Sequence, residues 1–519
     1  MVVGYGSAGA SAAIAAADAR AKVLIVEKTS HLGGNTALSA GMCRVATDAR
    51  RAAEYLHRTN GGRTDARLDM AMAEAMVETP RILAELARTI GATVTVTFGS
   101  AQSEVQVGDL YDWSGKEVLG WAGIESVPDF GGYPWLPVPT RGQHLMRTLE
   151  LNVGARGIEV WFDCPARRLL LDGGRVIGVE VEREGKAIAV WVTGGVVLTC
   201  GGFEFDSQLL QDYLELPVIY GAGHYGNTGD GIRMAQQAGA ALWHMWHIHG
   251  SYGFKFPEYP VSFRVKMGGV RRVDRKLAWI LVDQNGRRFT NELHPAPQDT
   301  MWRPLQHLDA ETGRFDRIPC WLLFDESGRQ LGPIAKPITS DRAQYYQWSE
   351  DNLAEVRRGW IVHAPTLPEL AVKTGLPADA LLETVARWNA AVAAGHDDDF
   401  GRPPATMMPV AEPPFYAVPA WPVVSNTQGG PRHDEYQRVL GSDGHPIPGL
   451  YAAGELGSYF GHIYLLGGNL TECLAGGRIA GREAARYAGL WSPPGPVTFN
   501  ERGSAWESHQ PLVRHNRAR

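Results

Sequence analysis

The feature that most constrains the fold is a glycine-rich turn between two short apolar runs at the start of the chain. Gly4, Gly6 and Gly9 have the spacing of a G-x-G-x-x-G motif. An alanine-rich run follows, and the apolar residues 23–26 then lead into Glu27. This order predicts a strand, a tight turn, a helix and a second strand that ends at an acid. Because a helix start binds phosphates and an acid can bind ribose hydroxyls, we predict an α/β dinucleotide-binding unit.

A second loop of small residues, at positions 33–41, separates the candidate dinucleotides. Its Gly33, Gly34 and Asn35 would let the backbone approach a long, extended cofactor closely, which favours FAD over NAD. Glu27 argues against a cofactor with a 2′-phosphate, because its carboxylate would repel that group. Only three residues precede the first glycine, so either the first strand is short or the natural start lies upstream.

Composition bounds the class of protein and its partners. The chain has 519 residues, of which 44% are hydrophobic, enough to bury the cores of at least two domains. A net charge of −6, with Lys and Arg interspersed, does not favour nucleic acid or an acidic membrane surface. No apolar run approaches the ~20 residues that span a bilayer, and no signal peptide is evident. We therefore expect a cytoplasmic protein without a transmembrane segment.

The cysteines bear on the route of electrons. The five cysteines are scattered and form no C-x-x-C pair, so we expect reduced thiols. This pattern excludes an attached c-type haem, and no cysteine set could ligate an iron–sulfur cluster. Electrons must therefore be exchanged with a partner that the sequence does not identify. The oligomeric state stays open, a homo-oligomer included.

A run of short strands is predicted across residues 158–200, and its last member indicates where the ligand crevice lies. Residues 195–199 are mostly apolar and lead through a cysteine into Gly201 and Gly202. A continuous apolar strand is typical of a parallel sheet that is buried on both faces, and its carboxyl end faces the ligand. Both glycines are therefore expected at the crevice.

Further motifs follow in order along the chain, and together with the first turn they occupy residues 4–9, 27–28, 33–36, 197–203, 226–231, 449–455 and 467–469. This order resembles the fumarate reductase/succinate dehydrogenase flavoprotein superfamily, which includes the 3-ketosteroid dehydrogenases and several enoate reductases. The resemblance implies an α/β fold in which a Rossmann-like FAD-binding domain, built from both chain ends, carries an inserted α+β cap domain for the substrate. The implied boundaries are 1–245 and 424–490 for the FAD-binding domain, 246–423 for the cap and 491–519 for a C-terminal arm.

The resemblance also implies which residues bind FAD. Glu455 would bind the ribityl chain, and the backbone around Asn469, at the start of the last helix, would face the flavin pyrimidine end. Superfamily members with covalent FAD carry histidine where this chain has Asn35, so we expect non-covalent FAD. The expected ligands are Gly4, Gly6, Ser7, Ala8, Gly9, Glu27, Lys28, Gly33, Gly34, Asn35, Thr36, Ser39, Gly41, Gly201, Gly202, Asp230, Gly454, Glu455, Gly468, Asn469 and Leu470.

Three positions argue against a dicarboxylate substrate. Fumarate reductases protonate with an arginine where this chain has Ala296. They clamp the carboxylates with a histidine and an arginine where this chain has Asn426 and Leu465. A buried carboxylate without such partners would be costly. The resemblance therefore implies that neither fumarate nor succinate is the substrate.

Tyrosine and histidine stand near the expected mouth of the site instead. In ketosteroid dehydrogenases the segment before the last helix carries a tyrosine that polarises the substrate ketone, one residue nearer the glycines than Tyr464. Tyr464 is therefore the candidate polarising residue and His462 a candidate acid or base, with hydrogen-bonded wall residues as the alternative for both. His249 and Tyr252 are further candidates from the region around the start of the cap. The histidines at 244–249 have no accompanying carboxylate or cysteine, so no metal is expected.

These features predict an FAD-dependent oxidoreductase that acts on CH–CH bonds. The favoured reaction is α,β-dehydrogenation, or the reverse reduction, of a bulky apolar ketone or ring compound like a ketosteroid. Hydride would pass to flavin N5 while a base removes the α proton. The alternative is a soluble ene-reductase for an aromatic acrylate, which needs a carboxylate anchor such as Arg264, Arg271 or Arg272. An electron-transferring flavoprotein subunit is the hypothesis from a different class.

Overall fold

The computed structural model describes residues 1–98, 110–266, 273–293 and 301–489. None of the helices in this described part is long and apolar enough to cross a membrane. Predictions at four places fall outside the described residues: Ala296, Arg271, Arg272 and the arm 491–519.

Strands and helices alternate along the described chain. The strands are β1 (Val2–Val3), β2 (Leu24–Val26), β3 (Met42–Ala46), β4 (Thr93–Phe98), β5 (Leu119–Ser126), β6 (Glu159–Trp161), β7 (Ala166–Asp172), β8 (Arg175–Arg183), β9 (Lys186–Trp191), β10 (Val196–Leu198), β11 (Tyr220–Gly221), β12 (Leu242–Trp243), β13 (Ile248–Phe254), β14 (Phe263–Arg264), β15 (Ile280–Val282), β16 (Cys320–Phe324), β17 (Val362–Ala364), β18 (Phe415–Thr427), β19 (Gly430–Pro431), β20 (Arg438–Leu440) and β21 (Pro446–Ala452). The α-helices are α1 (Ser7–Asp18), α2 (Gly34–Leu38), α3 (Ala49–Thr59), α4 (Ala66–Arg88), α5 (Arg141–Ala155), α6 (Ser207–Tyr213), α7 (Asp230–Gln237), α8 (Glu326–Arg329), α9 (Leu353–Arg357), α10 (Leu367–Thr374), α11 (Ala378–Ala394) and α12 (Gly468–Tyr487).

A six-stranded sheet joins the beginning and the end of the described chain. Its strand order is β20-β21-β10-β1-β2-β6, and β1 runs parallel to both β2 and β10. Strand β21, from the far end of the chain, runs parallel to β10 and pairs Ala452 with Leu198. Because these strands are parallel, their carboxyl ends meet at one edge of the sheet.

Helices α1 and α12 pack against each other through small residues. A Cβ at Gly477 would lie 2.3 Å from the Ala8 carbonyl oxygen, and one at Gly481 would lie 2.1 Å from that of Ala12. Glycine at these positions therefore permits a backbone approach that a larger residue would prevent. The alanine-rich sequence of α1, most of which is buried, serves the same close packing.

A second sheet, of seven strands, is organised around the long strand β18. Strands β13, β16 and β17 pair with β18 antiparallel, and β14 and β15 extend the sheet beyond β13 and β16. Ser425 is an extra residue of β18 opposite the step from His249 to Gly250. Helices α10 and α11 contribute Leu370 and Trp388 to the core on this sheet. The sheet occupies the region expected to form the cap, whose boundaries stay a prediction.

A buried ion network connects residues 288–292 to the segment after α11. Arg288 lies 2.8 Å from one oxygen of Glu292 and 2.9 Å from Asp397, while Arg402 lies 3.2 Å from the other Glu292 oxygen. The four side chains are almost inaccessible to solvent. Burying a charge is costly unless it is paired, and both guanidinium groups have a carboxylate partner.

Candidate active site

An elongated cleft, which we call the nucleotide cleft, opens at the carboxyl ends of β1, β2 and β10. It encloses about 800 Å³, part of it open to solvent. The predicted FAD ligands that line it are Gly4, Gly6, Ser7, Ala8, Glu27, Lys28, Gly34, Asn35, Thr36, Gly201, Asp230 and Glu455. The predicted ligands that do not line it are Gly9, Gly33, Ser39, Gly41, Gly202, Gly454, Gly468, Asn469 and Leu470.

The first glycine turn has the shape that a pyrophosphate needs. Gly4 has a φ of +103°, and a Cβ there would lie 2.5 Å from the Thr199 carbonyl oxygen. A Cβ at Gly9 would lie 2.0 Å from the Gly4 carbonyl oxygen, so glycine lets α1 approach β1. At Gly6, by contrast, an added Cβ would meet no atom closer than Thr36 Oγ1, at 3.7 Å. Gly6 therefore leaves room for a ligand to approach the backbone, as the motif predicts.

Two charged residues stand at the end of β2, where the motif places the ribose. Glu27 accepts hydrogen bonds from the Tyr5 backbone N–H at 2.9 Å and from the Thr29 backbone N–H at 3.0 Å. Lys28 forms an ion pair of 2.7 Å with Asp230, and both side chains are partly exposed. The backbone thus fixes the Glu27 carboxylate at the cleft wall, where a ribose hydroxyl can reach it.

Asn35 joins two buried carboxyl groups in the wall of the nucleotide cleft. Its amide nitrogen donates to Glu204 Oε1 at 2.7 Å and to Glu455 Oε2 at 3.0 Å. Its amide oxygen accepts from the His224 backbone N–H at 2.7 Å. The other Glu455 oxygen accepts from the Thr427 backbone N–H at 3.0 Å. Glu455, expected to bind the ribityl chain, thus also helps to hold the loop of Asn35 in place.

The two carboxyl groups share one electrostatic environment. Burial is the main cause that raises the pKa of Glu204 to about 7. Burial, followed by the neighbouring Glu204 charge, raises the pKa of Glu455 well above its usual value. The pair therefore retains at least one proton at neutral pH. Sequence reasoning missed Glu204, although an acid so close behind the Gly201 and Gly202 pair was an available signal.

His224 is a second residue of the nucleotide cleft that sequence reasoning missed. Its Nδ1 accepts a hydrogen bond of 3.2 Å from the Gly226 backbone N–H, so the proton of the neutral ring sits on Nε2. That Nε2 is sealed from solvent and has no partner among the described residues. Burial, then the charges of His31 and Lys28, lower the pKa of His224 to about 4. A polar ligand atom in the cleft would satisfy this N–H, which fits a bound nucleotide cofactor.

Tyr464 and His249 come together before the start of α12. Their rings stack with centroids 4.1 Å apart and planes inclined by 28°. His249 stands opposite Asn426 across β13 and β18. Burial is the main cause that raises the pKa of Tyr464 above its usual value, while the nearby Gly467 backbone and Asn426 side chain act in the opposite direction. Tyr464 is therefore neutral at physiological pH and can donate a hydrogen bond.

An amide network connects this pair to the first turn of α12. The Asn426 amide nitrogen donates to the Asn469 side-chain oxygen at 3.0 Å, and the Asn469 amide nitrogen donates to Gln428 at 3.0 Å. Asn469 also donates to Glu472, whose pKa burial raises to about 8. Asn426 is thus held in the amide network at the start of α12, and it offers no charge.

The structure places the other two catalytic candidates elsewhere. The His462 ring packs on the backbone of Gly61, where an added Cβ would lie 3.0 Å from the ring. Tyr252 is buried in the core, and its hydroxyl accepts a hydrogen bond of 3.1 Å from Trp279. His249 and Tyr252 lie three residues apart on β13, and successive side chains of a strand point to opposite faces. The structure therefore places Tyr252 away from the Tyr464–His249 pair, and a catalytic role for Tyr252 stays a prediction.

Two further histidines of this region have structural roles. Nδ1 of His244 lies 2.8 Å from the Ser458 carbonyl oxygen, and Nδ1 of His247 lies 2.8 Å from that of Phe460. Burial lowers the pKa of His244 to about 4 and that of His247 to about 3, so both rings are neutral. Across the part of the chain that the structure describes, no group of three or more His, Cys, Asp or Glu residues could hold a metal ion.

Comparison with known proteins places the chain. The model of the FAD binding domain matches residues 1–470. The chain belongs to this FAD-binding family. The NADH:fumarate oxidoreductase of Klebsiella pneumoniae (strain 342) is 29% identical over 498 residues, which cover 94% of this chain and 48% of that protein. The chain thus spans about half the length of that relative. The 4-oxocyclohexanecarboxylate 2-dehydrogenase of Sinomonas cyclohexanicum is 28% identical over 565 residues, which cover 94% of this chain and 93% of that protein.

A solved structure supports the same family fold. The 3-ketosteroid delta1-dehydrogenase from Sterolibacterium denitrificans, in complex with 1,4-androstadiene-3,17-dione, matches with a TM-score of 0.76 at 22% identity. The match covers 93% of this chain and 98% of that one, and it shows a shared mixed helix and strand flavoprotein fold. The predicted superfamily and cofactor are therefore confirmed, and the cofactor of this FAD-binding chain is FAD.

Proposed function

We propose that this FAD-binding chain is an oxidoreductase that acts on a CH–CH bond next to the carbonyl group of a ring ketone. The observation that carries the proposal is the stacking of the neutral Tyr464 phenol on the His249 imidazole, beside the first turn of α12. A neutral donor suits a ketone, because the carbonyl oxygen gains negative charge only as the α proton leaves.

Each residue of this pair has a role in the proposed reaction. The Tyr464 hydroxyl would donate a hydrogen bond to the substrate carbonyl and so stabilise the developing enolate. The His249 imidazole, held against the phenol, would accept the α proton. Asn426 lies close to the hydroxyl, and the N-terminus of α12 places a partial positive charge nearby. When bound, FAD supplies the acceptor for the hydride that leaves the β carbon.

Two positions support a ketone over a dicarboxylate. Leu465 is fully buried in a hydrophobic core cluster, and Asn426 is held in the amide network, so neither offers a charge to a carboxylate. The relative from Sinomonas cyclohexanicum, which matches over nearly its whole length, has a ring ketone in its name. These points favour dehydrogenation of a ring ketone, and they leave open whether that ketone is as bulky and apolar as a steroid.

A second candidate function is the reduction of an aromatic acrylate by reduced FAD. It is favoured by Arg264, a largely enclosed guanidinium that could anchor the acrylate carboxylate. The two functions differ in the group that is activated, since a ketone needs the Tyr464 donor and an acrylate needs a cation at its acid group.

An anaerobic flavin assay separates the two functions. The FAD-loaded protein would be mixed in turn with 4-oxocyclohexanecarboxylate and a 3-ketosteroid, and the photoreduced protein with an aryl acrylate. We expect a ring ketone to bleach the visible absorbance of the bound flavin. If every ketone leaves the flavin oxidised while the acrylate reoxidises the reduced protein, the acrylate reductase is the correct function.

A further inference from the structure

We propose that Arg264 and Lys336 form an anion site, which we call the cation pair, that holds a carboxylate of the substrate near Tyr464. The substrate would then be a small ring ketone that carries an acid group, an assignment that rests on the proposed function. The site follows from two cations that face each other near the candidate catalytic tyrosine and have no acidic partner among the described residues.

Backbone pairing sets the two cations side by side. Val265 forms an antiparallel bridge with Ala335, so Arg264 stands directly opposite Lys336. The Lys336 backbone N–H donates to the Arg264 carbonyl oxygen at 2.8 Å, as this register requires. Residues that are directly opposite in an antiparallel pair project to the same face, and like charges in such positions repel each other. The register therefore holds two positive charges together at a cost in stability.

No carboxylate among the described residues offsets this repulsion. Neither Arg264 nor Lys336 forms a salt bridge with a described Asp or Glu, and the Arg264 Nε is sealed from solvent without a partner there. Burial lowers the pKa of the Arg264 guanidinium, and the nearby Tyr464 hydroxyl acts in the opposite direction. A buried donor without a partner is rare in proteins and points to a bound ligand.

Lys336, like Arg264, carries a positive charge that no described carboxylate offsets. Burial first, and the Arg264 charge second, lower the pKa of Lys336 to about 8. The Lys336 side chain is nevertheless exposed to solvent, so an anion can reach it. An anion beside the two cations would relieve both effects, because it would offset the repulsion and replace lost water contacts.

The contrast with other buried arginines of this chain is direct. Arg402 and Arg288 both contact Glu292, and all three side chains are almost inaccessible. Those guanidinium groups are structural, because the protein supplies their counter-charge. Arg264 has no such counter-charge among the described residues, and a ligand carboxylate would supply one.

The position of the cation pair defines the substrate class. Arg264 pairs with Gly253 of β13, the strand that also carries His249, and its charge is influenced by Tyr464. A substrate whose carbonyl group binds Tyr464 would place its acid group at Arg264. A ketone of this kind fits, whereas a neutral steroid would leave the cation pair without a counter-charge.

The test uses a ligand that binds without reacting. Cyclohexanecarboxylate carries the acid group but no ketone, and its methyl ester lacks the charge. Both would be titrated into the FAD-loaded protein, with the visible flavin spectrum and calorimetry as readouts. We expect the acid to bind more tightly than the ester. In Arg264→Met the affinity for the acid should fall by about tenfold or more, because a charge-assisted hydrogen bond is lost, while the ester is unaffected.

Control variants separate a binding role from a structural one. Arg264→Lys keeps the positive charge and should recover part of the affinity for the acid that Arg264→Met loses. Lys336→Met should weaken binding of the acid. Lys186→Met, on the exposed hairpin of β9, should leave binding of both ligands unchanged. Equal binding of acid and ester by the unmodified protein would overturn the anion site, as would an equal loss of both ligands in Arg264→Met. Because these probes do not react, the outcome is independent of whether a ketone bleaches the flavin.

Discussion

The phenol ring of Tyr464 lies against the imidazole ring of His249 with ring centroids 4.1 Å apart. His249 belongs to the seven-stranded sheet, and Tyr464 to the loop that leads into α12. The contact therefore joins the sheet of the expected cap to the helix of the expected FAD-binding region. A donor and a base that meet at such a junction can both act on one substrate.

Removal of the Tyr464 hydroxyl should slow the reaction and leave FAD binding unchanged. We expect Tyr464→Phe to lower kcat for a ring ketone by about 100-fold or more, because one donor to the developing oxyanion is lost. Steady-state kinetics on protein with full FAD content measures this effect. The control is Tyr252→Phe, which loses a core hydrogen bond from Trp279 and should cost about 1 kcal/mol of stability without lowering kcat. An equal fall of kcat in both variants would contradict the role of Tyr464.

Two substitutions in the first glycine turn should separate an effect on FAD binding from an effect on folding. Gly6→Ala fits the protein, because the nearest atom would lie 3.7 Å from the new Cβ, but the methyl group would occupy the approach of FAD. Gly9→Ala would place its Cβ 2.0 Å from the Gly4 carbonyl oxygen and should disrupt the turn itself. We expect weaker FAD binding with a folded protein in the first variant, and lower thermal stability in the second.

A glycine outside the nucleotide cleft supplies the control for these variants. Gly154 lies within α5, and an added Cβ would meet no atom within 4 Å. Gly154→Ala should therefore raise stability by about 0.5–1 kcal/mol and leave FAD content unchanged. Full FAD affinity in Gly6→Ala would refute the assignment of Gly6 to the pyrophosphate.

The buried carboxyl pair should make stability depend on pH. The pKa of Glu204 is about 7 in the folded protein against an ordinary value of 4.5. Between these values the folded protein binds more protons than the unfolded chain, so stability falls as pH rises from about 4.5 to about 7. Glu204→Gln removes this titration, keeps an oxygen to accept from Asn35, and should flatten the slope. Thermal unfolding would be measured with excess FAD at several pH values. If the Glu204–Glu455 pair has no such role, the unmodified protein and Glu204→Gln would show parallel plots of stability against pH.

Anion affinity should also depend on pH, through Lys336. Its pKa is about 8, so the ammonium that attracts a carboxylate is present below that pH and is lost as pH rises through it. Arg264 stays charged, and the raised pKa of Tyr464 keeps the phenol neutral over this range. We expect affinity for cyclohexanecarboxylate to fall above about pH 8 in the unmodified protein and to stay level in Lys336→Met. The same slope in both proteins would show that Lys336 does not contact the ligand.

Local motifs allowed part of this structure to be predicted from the sequence. The turn of Gly4, Gly6 and Gly9 and the acid Glu27 lie within one strand–helix–strand unit, whose geometry is set by neighbours along the chain. The resemblance to known flavoproteins extended this to distant ligands such as Glu455. Gly4, Gly6, Glu27 and Glu455 line one cleft in the structure, and local prediction was possible because glycine spacing and a terminal acid carry their own geometric meaning.

The remaining features depend on pairing between distant segments. Arg264 and Lys336 face each other only because Val265 bridges Ala335, and no local pattern indicates that register. Glu204 and Glu455 meet only through the folded loop of Asn35. The charges in a sequence do not reveal such pairs, because they do not show which buried charged residues come together in the fold.

The separation of His249 from Tyr252 has a simpler origin. The two residues are close in the chain, but the strand β13 that contains them sends positions three apart to opposite faces. Recognition of that strand from its apolar and small residues would have separated the two side chains. Tyr464, in contrast, was placed by its distance from a motif and comes to lie on His249.

The central claim is tested most directly by anaerobic titration of the FAD-loaded protein with 4-oxocyclohexanecarboxylate while the visible absorbance of the bound flavin is followed. The account predicts bleaching that is complete at one equivalent of ketone per flavin and much slower in Tyr464→Phe. The account would be contradicted if the flavin stays oxidised with this keto acid and with a 3-ketosteroid, in protein that still binds cyclohexanecarboxylate.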